Sequence, residues 1–403
     1  MRAKKIISSC LLILVLFLTS CMNQPSDNNS EISVNSSTQS ITSELNETSA
    51  EESIYHEKVY PEYDEIVEYN LTALNIENAN LSFIKYIGNN ILVLLAQEDN
   101  ISYYKFVDCE TGEELFRKNN FGGPYKNGFA SINYGNNGLY GRVDLDIFDY
   151  EGEYKETVVP DAFWLLSFFR TNGYINLNEF PLSDRYTIRK TDWRIYLRDE
   201  KLNTAEVVFE NTDIEIYNFV YPVNETQFLF WKQCKNSNDS KYGIYDVISK
   251  EIIYNESKHN MSKLTPFAVL DNKLFSYYGE QELYCTEFDG ESFGNPQELF
   301  ALSKDSYIYI TKISPDNRTI AIISYKFGTL GNYTNIESFK IDLLDVHSLN
   351  FVFSKTIEFD KPLFISGSQI NTTYLDDGTI AFTVNVRKEE DVMDTILYVL
   401  NTK

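Results

Sequence analysis

Positive charge, histidine and patterned cysteine are what this chain has least of, and each shortage closes a class of function. Thirty-five Lys and Arg stand against 59 Asp and Glu, a formal net charge of −24. A protein that binds nucleic acid neutralises phosphates with a basic face, so nucleic acid is excluded as a partner. Only three histidines occur, His56, His259 and His347, with no H-E-x-x-H and no paired spacing. A histidine-based metal site is therefore not expected. Of five cysteines, Cys10 and Cys21 lie in or at the end of the N-terminal apolar run; Cys109, Cys234 and Cys285 are scattered, without C-x-x-C spacing. That pattern argues against a disulfide framework and a zinc cluster and leaves three small buried hydrophobes on strands. No Walker loop or dinucleotide fingerprint appears, and no cofactor is expected. Helical patterning is scarce too from about residue 60 onward.

Aromatic side chains are abundant. There are 29 Tyr and 27 Phe against 3 Trp, and apolar residues make up 43% of 403 positions. Tyr and Phe favour pleated, half-buried surfaces, so the composition leans towards β-structure. The length suits one large domain or two ordinary ones, with a sizeable core.

The N-terminus carries an address. Arg2, Lys4 and Lys5 precede an apolar run from Ile6 to Leu18. The run is short for a transmembrane span and has no positive flank after it, so it reads as a signal peptide. It ends in Leu18-Thr19-Ser20-Cys21, which resembles the lipobox of bacterial lipoproteins. The resemblance implies that Leu18, Thr19 and Ser20 are read as the signal. It also implies that Cys21 receives a diacylglyceryl group and becomes the mature N-terminus. Residues 1–20 are then the signal peptide. The following stretch is rich in Ser, Asn, Thr and Glu, with no Lys or Arg between Lys5 and Lys58. It lacks the apolar surface to offset chain entropy, so residues 21–57 are expected to be a disordered tether. The expected location is the extracytoplasmic face of the cell membrane, with the membrane as partner through the lipid on Cys21.

The body, residues 58–403, is one period repeated. A turn followed by a short apolar strand recurs near Leu92, Leu139, Thr187, Leu229, Leu274, Ile320 and Ile380, at steps of 47, 48, 42, 45, 46 and 60 residues. After each comes a strand, a polar turn and another strand, as in "YYKFVDCETGEELF" and "FKIDLLDVHSLNFVF". Four strands per period of 40 to 50 residues is the signature of a β-propeller. The expected fold is all-β, with seven four-stranded blades. Six or eight remain alternatives because the third copy is poorly defined, and a β-sandwich pair or β-solenoid is the competing architecture. The last copy stops at the chain end without its fourth strand. The segment Asp64 to Leu74 precedes the first copy and can supply it, closing the propeller with an N-terminal strand.

The sixth copy reads Ser314-Pro315-Asp316-Asn317 before its strand. It resembles the TolB-like and WD-type repeats of bacterial propellers, with Asn317 where that pattern has Gly. Only the last two copies are close to the pattern, so the resemblance supports the fold and says little of function.

Chemistry is hard to find. Gly290-Glu291-Ser292-Phe293-Gly294 matches G-x-S-x-G, but it sits in a hairpin position with no helix after it, so Ser292 is expected to be a turn residue. The carboxylates from Asp144 to Glu153 do not match a calcium loop. Carboxylate pairs, which some propeller glycosidases use, cannot be singled out among 59 acidic residues. No catalytic and no metal-ligating residue is therefore named. The longest loops within blades, Lys326 to Ser338, Lys232 to Lys241 and Val386 to Asp394, join second and third strands and fall on one face. Trp231, Tyr325 and Tyr333 flank or lie in them and form a candidate binding rim. The expectation is a non-enzymatic binding or scaffold module for protein or glycan. The alternative is a surface hydrolase or lyase acting on glycan or peptide, which would need groups with perturbed pKa values converging at the centre.

Overall fold

A computed structural model describes residues 60–403, apart from 75, 77–78, 100, 135–142, 161–167, 169–178, 214, 235–239, 255–263, 290–291, 329–334, 366–370 and 390–391. The signal, the lipobox residues Leu18 to Cys21, the tether, His56, His259 and Tyr333 lie outside the described residues. What is described is a β-propeller of four-stranded antiparallel sheets.

Strand β1 (Tyr63–Asn70) comes first in the chain and belongs to the last blade. Blade one holds β2 (Ala79–Gly88), β3 (Ile91–Glu98), β4 (Ile101–Asp108) and β5 (Glu114–Lys118). Blade two holds β6 (Gly123–Pro124), β7 (Gly128–Tyr134), β8 (Val143–Asp149) and β9 (Tyr154–Val158). Blade three holds β10 (Glu179–Pro181), β11 (Tyr186–Lys190), β12 (Arg194–Asp199) and β13 (Thr204–Glu210). Blade four holds β14 (Glu215–Pro222), β15 (Gln227–Cys234), β16 (Ser240–Asp246) and β17 (Ile252–Tyr254). Blade five holds β18 (Leu264–Leu270), β19 (Lys273–Tyr278), β20 (Glu282–Glu287) and β21 (Gln297–Ala301). Blade six holds β22 (Ser306–Ile313), β23 (Thr319–Phe327), β24 (Asn335–Asp345) and β25 (Phe351–Ile365). Blade seven holds β26 (Thr372–Tyr374), β27 (Ile380–Glu389), β28 (Val392–Thr402) and, as its fourth strand, β1.

The N-terminal strand pairs antiparallel with β28 from Tyr63↔Thr402 to Asn70↔Ile396, as the truncated last repeat requires. The 60-residue last step also has a physical cause. Strand β25 runs on for 15 residues and pairs with β27 at Phe364↔Arg387 and Ile365↔Val386, which joins the last two blades into one eight-stranded sheet.

Blades bury one another's faces. Phe106 of blade one packs on Phe129 of blade two, and Phe209 of blade three on Phe230 of blade four. Leu274 of blade five packs with Leu229 of blade four. Phe275 of blade five lies with Ile320 of blade six, and Phe339 of blade six with Phe382 of blade seven. Blade seven returns to blade one, where Leu397 and Val399 lie with Ile84 and Leu92. Each such fully buried side chain contributes about 1.5–3 kcal/mol of transfer free energy.

Turn chemistry sets the repeat. Asn89-Asn90 and Asp271-Asn272 have positive φ at both residues, the conformation of a two-residue hairpin. In the blade-six turn Asn317 takes φ 58, and in the blade-seven turn Gly378 takes φ 95. Asn tolerates the left-handed region through its short polar side chain, which explains why it can replace Gly here. The third strands end on a recurring aspartate. Asp108, Asp149, Asp246 and Asp345 each accept backbone N–H bonds from the turn that follows, for example Thr111 N to Asp108 Oδ1 at 2.8 Å.

One close approach gives a test. Gly128 opens β7 opposite Asp149, and a Cβ there would run into the Phe148 carbonyl oxygen and lie 2.9 Å from Asp149 Cα. Both obstacles are backbone and cannot rotate away. Gly128→Ala is expected to cost about 1–3 kcal/mol, read as a lower denaturant midpoint with an unchanged slope.

Candidate functional site

In every blade the first strand is the innermost. The first strand of blade seven, β26, is flanked by those of its neighbours, β2 of blade one and β22 of blade six. On both flanking strands a lysine stands opposite an apolar residue. Lys85 of β2 lies opposite Val93, and Lys312 of β22 lies opposite Ala321. These are equivalent places, since Val93 and Ala321 each follow the repeated core residue, Leu92 or Ile320. In blade seven the same place is Thr373, opposite Ala381, with Thr372 next to it.

The three strands bring these side chains to one locality. Lys85 Nζ donates to the Thr372 carbonyl at 3.5 Å, a long and weak bond. Lys312 is 8% exposed and Thr372 is 3% exposed. The Thr372 hydroxyl is buried with no hydrogen-bond partner among the described residues. Burial pushes the Lys85 ammonium down to a pKa of about 8. Burial pushes Lys312 well below the usual lysine value, and the positive charge of Lys85 adds to the effect. Lys105, another buried lysine, is paired with Glu114 at 3.1 Å. No described carboxylate pairs with Lys85 or Lys312. A lysine that gives up its proton near neutral pH is suited to work as a base, and two unneutralised ammonium groups attract an anion.

The residues named from sequence fall elsewhere. Trp231 is half-buried in β15 opposite Tyr242 and packs on the core between blades four and five. Tyr325 is half-buried in β23, with its ring 5.9 Å from Tyr307 and 5.3 Å from Tyr309. They belong to separate hydrophobic clusters on different blades, and neither is placed beside the lysines. The loops they mark are shorter than the sequence suggests, because the ladders continue into them. Lys232 pairs with Lys241, Lys326 with Ser338, and β27 pairs with β28 from Val386↔Asp394 to Glu389↔Val392.

Ser292 is an exposed turn residue whose hydroxyl donates to Asp289 Oδ2 at 3.1 Å. His347 is exposed and lies 3.4 Å from Asp271. Among the described residues, no three His, Cys, Asp or Glu side chains converge as a metal site would need. Cys109 and Cys285 are buried free thiols, and burial pushes both up to about 12, which makes them inert.

No family model and no curated protein matches the chain. Solved structures do. A tricorn protease shares 13% identity over 79% of this chain and 29% of its own, at a TM-score of 0.38. A post-proline cleaving enzyme from Rickettsia typhi shares 10% over 82% and 54%, at 0.42. An oligogalacturonate lyase in complex with manganese shares 9% over 84% and 91%, at 0.34. The chain spans under a third of the first and about half of the second. At this distance the likenesses carry no activity across.

The expectation of a non-enzymatic binding or scaffold module is corrected. Three of the solved structures it is similar to, the tricorn protease, the post-proline cleaving enzyme and the lyase, are enzymes by name. The centre of this chain also holds what the sequence could not display, two groups of perturbed pKa brought together on inner strands.

Proposed function

We propose that this chain is a lipid-anchored extracytoplasmic enzyme that acts on glycan or peptide, with its chemistry at Lys85 and Lys312. The observation that carries the reading is the pair of lysines on the inner strands either side of β26, both with lowered proton affinity and neither neutralised by a described carboxylate. The same observation favours a lyase over a hydrolase. A lysine held neutral is a base for a proton on carbon, whereas Ser292, the sequence's only nucleophile motif, is held by Asp289 in an exposed turn.

The test is a screen of glycan and peptide substrates with the full-length chain in detergent, scored for bond cleavage. Cleavage that falls at least about a hundredfold in both Lys85→Met and Lys312→Met supports the reading, the usual scale for removing a general base. Cleavage that survives both substitutions, or no cleavage of any substrate, overturns it. The anchor rests on the Leu18-Thr19-Ser20-Cys21 motif. Cys21→Ala is expected to leave the protein without its lipid, seen as loss of the diacylglyceryl mass on the N-terminal peptide.

A further inference from the structure

We propose that Lys85, Lys312 and Thr372 together form a recognition site for the carboxylate of a uronate residue in an acidic glycan. The proposal rests on the enzymatic reading of the same site and names its substrate class.

Three observations point to a small anion. The first is placement: two lysines occupy equivalent positions on the inner strands either side of β26, close enough that the charge of one is felt by the other. Nothing in the repeat demands lysine there, since blade seven has Thr373 in the same place. The second is the lack of compensation. The chain has 59 acidic residues, yet no described carboxylate is paired with either lysine. Two sheltered cations repel and lose hydration, a cost that an anion between them removes. The third is independent of charge. The Thr372 hydroxyl is buried without a hydrogen-bond partner among the described residues, on the residue whose carbonyl accepts from Lys85, and a bound carboxylate gives it a partner.

The lysines favour a single carboxylate over a polyanionic group. Burial and the charge of Lys85 both lower the affinity of Lys312 for a proton, so Lys85 is the member of the pair that keeps its charge. One charged lysine then binds the carboxylate and the other stays neutral. A net charge of −24 disfavours approach of a highly charged ligand in any case.

The chemistry selects a uronate among carboxylates. Once its carboxylate is neutralised, the hydrogen on the adjacent carbon becomes acidic. In a uronate that carbon is C5, and its neighbour C4 carries the glycosidic oxygen. The C-terminal residue of a peptide has no general leaving group in that position. Lys312, the more deeply buried, is the base, and Lys85 holds the carboxylate. The neutral Lys312 amine takes the C5 proton, and the C5–H electron pair forms the C4=C5 double bond. The C4–O bond breaks, its electron pair leaves with the glycosidic oxygen, and the proton passes from Lys312 to that oxygen. No water, oxidant or reductant is consumed.

The experiment uses the full-length chain in detergent and short oligomers of galacturonate, glucuronate and mannuronate, each alongside its neutral methyl ester. Binding is read by calorimetry and elimination by the absorbance of the unsaturated product. The expected result is that at least one acid binds and its ester binds about 10–100-fold more weakly, the scale of a hydrogen-bonded charge. Lys85→Met lowers affinity for the acid by a similar factor, and Lys312→Met abolishes elimination while binding remains. Equal affinity for acid and ester, or an affinity unchanged in Lys85→Met, overturns the assignment. Lysine-dependent cleavage of a neutral glycan or a peptide, with no uronate bound, also overturns it but leaves the enzymatic reading standing. Absence of both uronate binding and any cleavage removes both.

Discussion

Lys312→Met makes this protein more stable at neutral pH. The lysine is almost wholly buried, no described carboxylate faces it, and the one charge felt there among described residues is that of Lys85. Methionine keeps much of the length of the side chain and removes the charge. Removing the cost of burying an ionisable group, which the folded state meets by sheltering the charge or giving up the proton, is expected to gain about 1–3 kcal/mol, seen as a rise of a few degrees in the unfolding midpoint. The gain depends on pH in a fixed direction. A lysine whose folded pKa is lowered binds fewer protons in the folded state than in the unfolded state. Folding stability of the unsubstituted protein therefore rises with pH from the folded value to the unfolded value. For Lys85 that window opens at about 8 and ends near the ordinary lysine value. For Lys312 it opens well below the ordinary lysine value. Below the window both states are protonated and the penalty is complete. The advantage of Lys312→Met should thus be largest at pH 6 and shrink steadily towards pH 10. Unfolding midpoints at three pH values check it, and a variant less stable than the parent at pH 6 would refute the burial argument. On the functional reading the same variant has lost its base. A more stable, inactive protein is the signature of a residue retained for chemistry at a cost to the fold.

Why the architecture was legible and the site was not follows from where each kind of information resides. Thr319-Ile320-Ala321 and Thr379-Ile380-Ala381 are second strands following a turn, and turn and strand signals are local. Their repetition at about one blade's spacing is enough to count blades, and the missing fourth strand after β28 is enough to assign β1. The overlong last step was visible, but its cause was not, because the pairing of Ile365 with Val386 is a contact between blades. The recurring aspartate at the ends of third strands was readable, since "FVDCETG", "IYDVISK" and "LLDVHSL" all carry it. The lysines were not. Ile84-Lys85-Tyr86 and Thr311-Lys312-Ile313 are ordinary strand text, and an exposed lysine would look the same. Their lowered proton affinity arises from burial and, for Lys312, also from the charge of Lys85, across 227 residues of sequence. The one available signal was alignment by register, which places both lysines opposite the residue after the repeat's core position. Motif reading looked for nucleophiles, histidines and carboxylate pairs, and so expected no enzyme.

Removing β1 should be the most damaging change that leaves every repeat intact. The strand supplies the whole fourth rank of blade seven, paired with β28 through six residue pairs. It is tied at both ends. Lys403 N donates to Glu62 O at 2.8 Å, and Leu71 N donates to Thr395 O at 2.9 Å. Asn70 Nδ2 donates to Asp394 Oδ2 at 3.0 Å, and Tyr60 donates to Asp345 of blade six. The Tyr63 ring packs 4.5 Å from Phe353, also of blade six. Leu71 is 1% exposed in the core shared by blades one and seven. Deleting residues 59–72 would uncover that core and leave β28 as a bare edge, a template for pairing with other chains. Leu71→Ala alone is expected to cost about 2–5 kcal/mol as a buried leucine truncation. The deletion should exceed that and yield aggregated or protease-sensitive protein. A deletion ending at Lys58 is the control and should leave the unfolding midpoint unchanged. The effect reaches the site by a defined route. Blade seven holds β26, and β26 sets Thr372 beside Lys85. If Leu71→Ala lowers stability while the affinity for an acidic ligand stays at the parent level, blade seven holds its inner strand without help from its outer one. If affinity falls with stability, the N-terminal strand supports the site as well as the fold.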